Sequence, residues 1–327
     1  MSRVFARTPD VGAEFIAARR GLRPADLRVQ LEAEAAWFTG TEHGITAERL
    51  GALPDPPFGL IGTGCPLEAS LGTRAPCVAV VGSRRPTAFG LQFTSDLAAG
   101  LGAMGAIVVS GLAIGIDAAA HRGALAVGAP TIAVLGCGVG VDHPRTNSSL
   151  RRQIVETGGT VLSEYWITTP PNRWRFPARN RIVAGLADAV VVTEAAARSG
   201  ALITADFALE LGRPVLAVPG RPGVPASSGC HALLRAGAAF CETADDVVAE
   251  LPGLLWTDGT RPDAVSVAVD GLAAAIQGLL RSQPSSLTQI TEALDRPAAE
   301  IATCLTEMEL AGALVAIDGH RYAVRGV

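Results

Sequence analysis

The sequence predicts an α/β fold, a Rossmann-like doubly wound and mostly parallel sheet, with a short helical N-terminal region and a small C-terminal winged-helix domain. Three observations predict it. From Cys77 onward, short continuous apolar runs alternate with helical stretches. Unbroken hydrophobic strands are buried on both faces, as in parallel sheets covered by helices. Glycine-rich turns follow several of these runs, where doubly wound sheets bind ligands. Residues 270–327 read as three short helices and a hairpin, the grammar of a winged helix.

Taken in order, residues 1–55 carry helix-like patterning, at Ala13 to Arg19 and Leu27 to Phe38, and no chemical motif. Residues 51–76 hold five prolines without strong periodicity and read as a connector. The Rossmann-like domain is expected over 56–250. Its strands are Val78–Val81, Ile107–Ser110, Thr131–Leu135, Thr160–Leu162, Ala189–Thr193 and Val215–Val218. Helices are expected between most of them, for example Thr87–Gly102, Asp117–Val127 and Leu202–Leu211. Residues 251–269 read as a linker. The tail then gives helices at Leu272–Leu280, Leu287–Leu294 and Pro297–Leu310, followed by Ala313–Ile317, a turn at Asp318-Gly319 and Tyr322–Val324.

The 327 residues are 49% hydrophobic, with a net charge of −4. That charge gives no global sign of nucleic acid, so a basic site must be local. There is no lysine, and all 27 basic residues are arginine. Walker A loops and Schiff-base chemistry, which need an amine, are thereby excluded. No apolar run is long enough to span a membrane, and no secretory leader is expected. The six cysteines are scattered without a CxxC pair and read as small buried hydrophobes in a reducing, cytoplasmic compartment.

Several turns are suited to anions. Gly82-Ser83-Arg84 follows the first predicted strand, Ser110-Gly111 the second, Gly136-Cys137-Gly138 the third, and Ser199-Gly200 precedes a helix. Glycine admits a close backbone approach, and the serines add donors. A dinucleotide is disfavoured, because the first turn is not GxGxxG and the second strand ends without an acid for the ribose. The segment Asn172-Arg173-Trp174-Arg175-Phe176-Pro177-Ala178-Arg179-Asn180-Arg181 holds four arginines, two aromatics and no acid. Arginine forks match phosphate and aromatic faces stack on unpaired bases. The same residues also read as a solvated basic turn anchored by its aromatics. No HExxH, GxSxG or clustered metal ligands occur, so no catalytic residue, metal or cofactor is assigned.

These motifs resemble the DNA-processing protein A family, also called Smf. The likeness runs in order through Gly82-Ser83-Arg84, Ser110-Gly111-Leu112-Ala113, Gly115-Ile116-Asp117, Ala120-His121, Asp142-His143-Pro144, Asn147 and Ser163-Glu164. It continues through Phe176-Pro177-Ala178-Arg179-Asn180-Arg181, Glu194, Arg198-Ser199-Gly200 and Ala217-Val218-Pro219-Gly220, so that it spans about 60–240. The resemblance implies a homodimer without catalytic activity that binds and protects single-stranded DNA and loads a RecA-type recombinase on it, during natural transformation or recombination. It implies a DNA pocket of Ser83, Arg84, Gly111, Arg175, Phe176, Arg179, Asn180, Arg181, Ser199 and Gly200. Gly82 and Arg173, from the same loops, complete the candidate set. Two features depart from the family. Gly229-Cys230-His231 stands where members usually read Gly-Thr-Asn, and the N-terminal region is short. The tail carries four arginines against seven acids over 270–327, three of the acids on its third helix, which suits a protein contact better than a DNA groove. The competing reading is a nucleotide-processing hydrolase or sensor of the same superfamily, similar to cytokinin-activating enzymes. Their Pro-Gly-Gly-x-Gly-Thr-x-x-x-Glu loop is replaced here by Arg198-Ser199-Gly200, with no acid at matched spacing.

Overall fold

The computed structural model describes residues 24–42, 44–71, 75–254 and 256, and in the tail 272, 275, 276, 279, 280, 285–294, 296–310, 314–317 and 321–324. Packing divides the chain into two compact units between Gly259 and Thr260. Among its described residues the first contains nine strands: β1 (Ala36–Gly40), β2 (Gly59–Gly64), β3 (Cys77–Val81), β4 (Ile107–Ser110), β5 (Thr131–Val134), β6 (Thr160–Ser163), β7 (Ala189–Val192), β8 (Val215–Ala217) and β9 (Ala239–Phe240). They form one sheet in the order β1-β2-β6-β5-β4-β3-β7-β8-β9. From β6 to β9 every pairing is parallel, while β1 and β2 join antiparallel. Its helices are α1 (Pro24–Ala33), α2 (Gly44–Leu50), α3 (Leu67–Leu71), α4 (Ala88–Ala103), α5 (Ile116–Ala126), α6 (Ser148–Glu156), α7 (Arg175–Leu186), α8 (Gly200–Glu210), α9 (Ser228–Arg235) and α10 (Ala244–Glu250).

The two-residue period of β3 shows why the sheet is covered on both sides. Cys77, Ala79 and Val81 share a core with Ile182, Val183 and Leu186 of α7 and Ala201 and Ala205 of α8. Val78 and Val80 point the other way, into Leu97 and Leu101 of α4 and Ala120 and Ala124 of α5. Each fully buried valine contributes about 1.5–3 kcal/mol over an exposed one. The chain leaves β3 toward β4, β5 and β6, then returns to β3's other side as β7. β3 is therefore the topological switch point, and the crevice beyond its carboxyl end is where such sheets take ligands. The opposite edge is tied shut by Asp188, which accepts the Cys77 N–H at 2.8 Å and an Arg49 N–H at 3.0 Å, with Arg213 3.6 Å away.

The six expected strands and three expected helices form within two residues of their predicted ends. The N-terminal expectations need correction. The helix predicted through Phe38 stops at Ala33, and Ala36–Gly40 is an edge strand. The connector predicted over 51–76 contains β2 and α3. Five prolines and weak periodicity made this stretch read as a connector, yet β2 pairs closely with β1: a Cβ at Gly62 would run into the Trp37 ring and one at Gly59 into Phe38. The aromatics of β1 fill the space that β2 leaves empty. The reading at Ala13 to Arg19 lies outside the described residues.

The second unit pairs β10 (Ser285–Ser286), β12 (Arg321–Val324) and β11 (Leu314–Ile317) in that order, beside α11 (Leu287–Leu294) and α12 (Ala298–Leu310). Leu272, Ala275, Ile276, Leu279 and Leu280 are helical. Ile276, Leu280, Ile290, Ile301, Leu305, Met308 and Leu314 form its core. This is the winged-helix arrangement. The predicted turn at Asp318-Gly319 lies outside the described residues.

Candidate nucleic-acid interface

A cavity of about 800 Å3 opens beyond the carboxyl ends of β3, β4 and β7. Ten of the twelve candidate residues line it: Gly82, Ser83, Arg84, Gly111, Arg173, Phe176, Arg179, Asn180, Ser199 and Gly200. Arg175 and Arg181 are not part of the lining. Arg85 and Arg198, each one residue away from a candidate, also line the cavity. Their adjacency was the available signal, since spacing alone does not say which neighbour in a loop faces inward. The lining holds five arginines and a single carboxylate, Asp117, a surplus of four positive charges.

Four helices, α4, α5, α7 and α8, begin at this crevice, and their N-termini are treated differently. At α4, Thr87 caps the helix by accepting the Gly90 N–H at 3.0 Å. Glu194, arriving from β7, accepts the Thr87 N–H at 2.8 Å and its hydroxyl at 2.9 Å. At α5, Asp117 accepts the N–H groups of Gly111 at 3.1 Å and Ala113 at 3.3 Å. Leu112 between them has φ of 53°, a strained value for a branched side chain. Asn147 holds that loop by donating to the carbonyls of Leu112 at 3.0 Å and Ala113 at 3.2 Å. Of the four turns that the sequence marks as suited to anions, the two after β3 and β4 thus have neighbouring backbone N–H groups taken by the protein's own carboxylates. α8 is capped instead by a hydroxyl, that of Ser199, which accepts the Ala201 N–H, and its first turn carries no acid.

The basic segment is the start of a helix rather than a turn, and its arginines divide into two kinds. Arg179 is 4% exposed and lies under the cavity. It donates to the carbonyls of Gly111, at 2.7 Å, and Val134, with Asp117 3.9 Å away. Gly111 leaves the space that the guanidinium occupies, because a Cβ there would overlap it. Burial lowers the Arg179 pKa while Asp117 opposes the shift, and burial raises the Asp117 pKa while Arg179 opposes it. The two form a buried ion pair at the cavity floor, so the surplus positive charge of the lining comes from the four rim arginines. Asn180 accepts from Arg179 Nε at 3.0 Å and donates to the Gly200 carbonyl at 3.1 Å, joining α7 to the start of α8. Arg181 is 7% exposed and faces away, donating to Glu164 at 2.6 and 2.8 Å and to the Asp55 carbonyl at 2.7 Å. Arg84, Arg85, Arg173 and Arg198 are exposed at the rim. The Arg84 guanidinium lies 5.3 Å from the centre of the Phe176 ring, and His143 stacks on that ring at 5.5 Å.

His121, Cys230 and His231 are held within the fold. His121, buried on α5, bonds through Nδ1 to the Thr131 hydroxyl at 2.7 Å, which donates in turn to the Val108 carbonyl. Burial pushes its pKa down to about 3, so the ring is neutral. Cys230 is a core residue with its thiol pushed up to about 11, and His231 bonds to the Gly220 carbonyl at 2.9 Å. Neither lines the cavity, so the departure at Gly229-Cys230-His231 does not alter its walls. Among the described residues, no three His, Cys, Asp or Glu side chains gather as a metal requires, and no helix is long and apolar enough to cross a membrane.

A doubly wound sheet with an arginine-rimmed crevice at its switch point defines an anion-receiving protein of the Rossmann-like class. The chain belongs to the DNA recombination-mediator protein A family, whose model matches residues 39–252, and a DprA winged helix domain model matches residues 260–320. It is 39% identical over 230 residues to protein Smf of Escherichia coli, covering 69% of this chain and 62% of that one. It is 42% identical over 243 residues to a DNA processing protein DprA of Mycobacterium tuberculosis, covering 72% and 61%. The chain thus spans about three fifths of the length of these curated relatives. The solved DNA processing protein A from Streptococcus pneumoniae superposes with a TM-score of 0.65 at 38% identity, over 75% of this chain and 82% of that one. The Helicobacter pylori protein, solved to describe its single-stranded DNA binding mode, gives 0.58 at 30% identity, over 66% and 95%.

Proposed function

We propose that this protein binds single-stranded DNA in the crevice at the carboxyl ends of β3, β4 and β7, and that it is a binding protein rather than an enzyme. The observation that carries the proposal is the lining itself, five arginines and the Phe176 ring against one carboxylate. Arginine forks take the phosphates and the ring offers a face to an unpaired base. The binding mode described for the Helicobacter pylori relative supports the same ligand. In this reading Gly82, Ser83, Arg84, Gly111, Arg173, Phe176, Ser199 and Gly200 meet the strand, Arg179 and Asn180 support the floor, and Arg181 acts through the fold. Arg175 meets the strand beyond the rim. The family resemblance supports the remainder: a cytoplasmic homodimer that protects the strand and loads a RecA-type recombinase on it in transformation or recombination. The division at residues 55, 250 and 270 belongs to the same proposal, with the acidic winged helix as a protein contact.

The test is charge reversal at the rim, where burial does not confound it. Arg84→Glu with Arg198→Glu should weaken binding of poly-dT by at least tenfold in fluorescence anisotropy, with melting temperature unchanged. Wild-type affinity in a folded double variant would move the assignment to a nucleotide-processing site, which nucleoside monophosphate binding to the wild type would then support.

A further inference from the structure

We propose that Trp174, with Tyr165 and Arg175, forms a second stacking seat for an unpaired base of the same DNA strand, outside the crevice. The proposal rests on the single-strand reading above and extends the strand's path past the rim. Trp174 immediately precedes α7 and is 59% exposed, although an indole that anchors a core would be covered. Its ring meets Tyr165 edge-to-face, with centroids 6.2 Å apart and planes at 88°. The Arg175 guanidinium lies 5.0 Å from the Tyr165 centroid and 5.1 Å from that of Trp174, and it donates to the Pro170 carbonyl.

Placement argues for continuity with the crevice. Arg173 and Phe176 line the cavity, whereas Trp174 and Arg175 between them do not. The chain therefore sets one arginine and one aromatic inside and one of each immediately outside. The outer pair is held before any ligand arrives: Tyr165 follows β6 with its N–H on the Ser163 hydroxyl at 3.0 Å, and Arg175 is fixed by two rings and a carbonyl. A rigid indole loses little conformational freedom when a base stacks on it. The adjacent guanidinium supplies charge for the phosphate beside that base. An unpaired nucleotide is the occupant that uses both features at once.

The test uses the full chain with dT oligonucleotides of increasing length, and long oligonucleotides carrying one abasic site at each position in turn. Trp174→Ala should bind long oligonucleotides roughly 5- to 150-fold more weakly and bind those confined to the crevice as the wild type does. Trp174→Phe should restore affinity to within a few-fold. In the wild type, an abasic site should cost affinity at a position beyond those sensitive to Phe176→Ala, and Trp174→Ala should abolish that sensitivity. If Phe176→Ala weakens binding while Trp174→Ala equals wild type at every length, the outer seat is wrong and the crevice stands. If neither variant changes affinity, both assignments are lost. The abasic scan on the wild type decides the matter without a variant.

Discussion

Arg179 and Arg181 stand two positions apart on α7, both buried and both bonded to the protein's own acceptors. Arg179 ties the Gly111 and Val134 carbonyls together beneath the crevice, and Arg181 closes on Glu164. Removing Arg181 would strand Glu164, itself mostly buried, without its countercharge. Arg181→Met should therefore cost about 3–5 kcal/mol in urea unfolding, whereas Arg84→Met should stay within about 0.5 kcal/mol. A small loss in Arg181→Met would show that water reaches Glu164. The sequence marked this segment through its composition, since four arginines without an acid stand out in a chain of net negative charge. It did not separate anchors from ligands. Their partners, Asp117, Glu164 and the Val134 carbonyl, lie 17 to 62 positions away and come together only in three dimensions.

At the scale of elements, the central strands were legible because burial on both faces leaves a run of Val, Ile and Ala with no polar interruption. β1 and β2 were not, because each is incomplete without the other. Trp37 and Phe38 cover glycines that look like loop in isolation. The docking of α5 on β4 and β5 runs through His121, whose Nδ1 meets Thr131 while Nε2 is buried without a partner. The folded ring resists protonation until about pH 3, whereas the unfolded chain takes a proton near 6.5. As pH falls through 6.5 the unfolded state binds the extra proton, so stability is lost at about 1.4 kcal/mol per unit toward pH 3. Denaturation midpoints followed from pH 7 to 4 should fall in the wild type, and His121→Gln should flatten the slope. An equal slope in both would assign the acid sensitivity to carboxylates.

Across the whole molecule, charge is placed rather than abundant: a chain of net −4 gathers four exposed arginines at one rim. With about three to four phosphate contacts per protomer, log affinity for poly-dT should fall with log salt at a slope of about −2 to −3. A matched duplex should bind far more weakly, because its bases are not free to stack. Titrations over a range of salt concentrations measure both, and equal affinity for the two forms would overturn the single-strand reading. The doubly wound architecture was legible from strand and turn alternation, while the antiparallel extension through β2 was not. Nothing local in Gly59–Gly64 names β6 as its neighbour.

The carboxylates of Glu194 and Asp117 at the starts of α4 and α5 bear on what kind of grip such a crevice has. A compact pyrophosphate held by a ring of backbone N–H groups is locked in one pose. Here such groups are already spoken for at two of the four helices, and the outward-reaching donors are long arginine arms on the rim. Under the proposed function, successive phosphates of a strand are interchangeable to those arms. The protein then holds a polymer without counting its units, and the strand can advance by one nucleotide while most of its contacts re-form behind it.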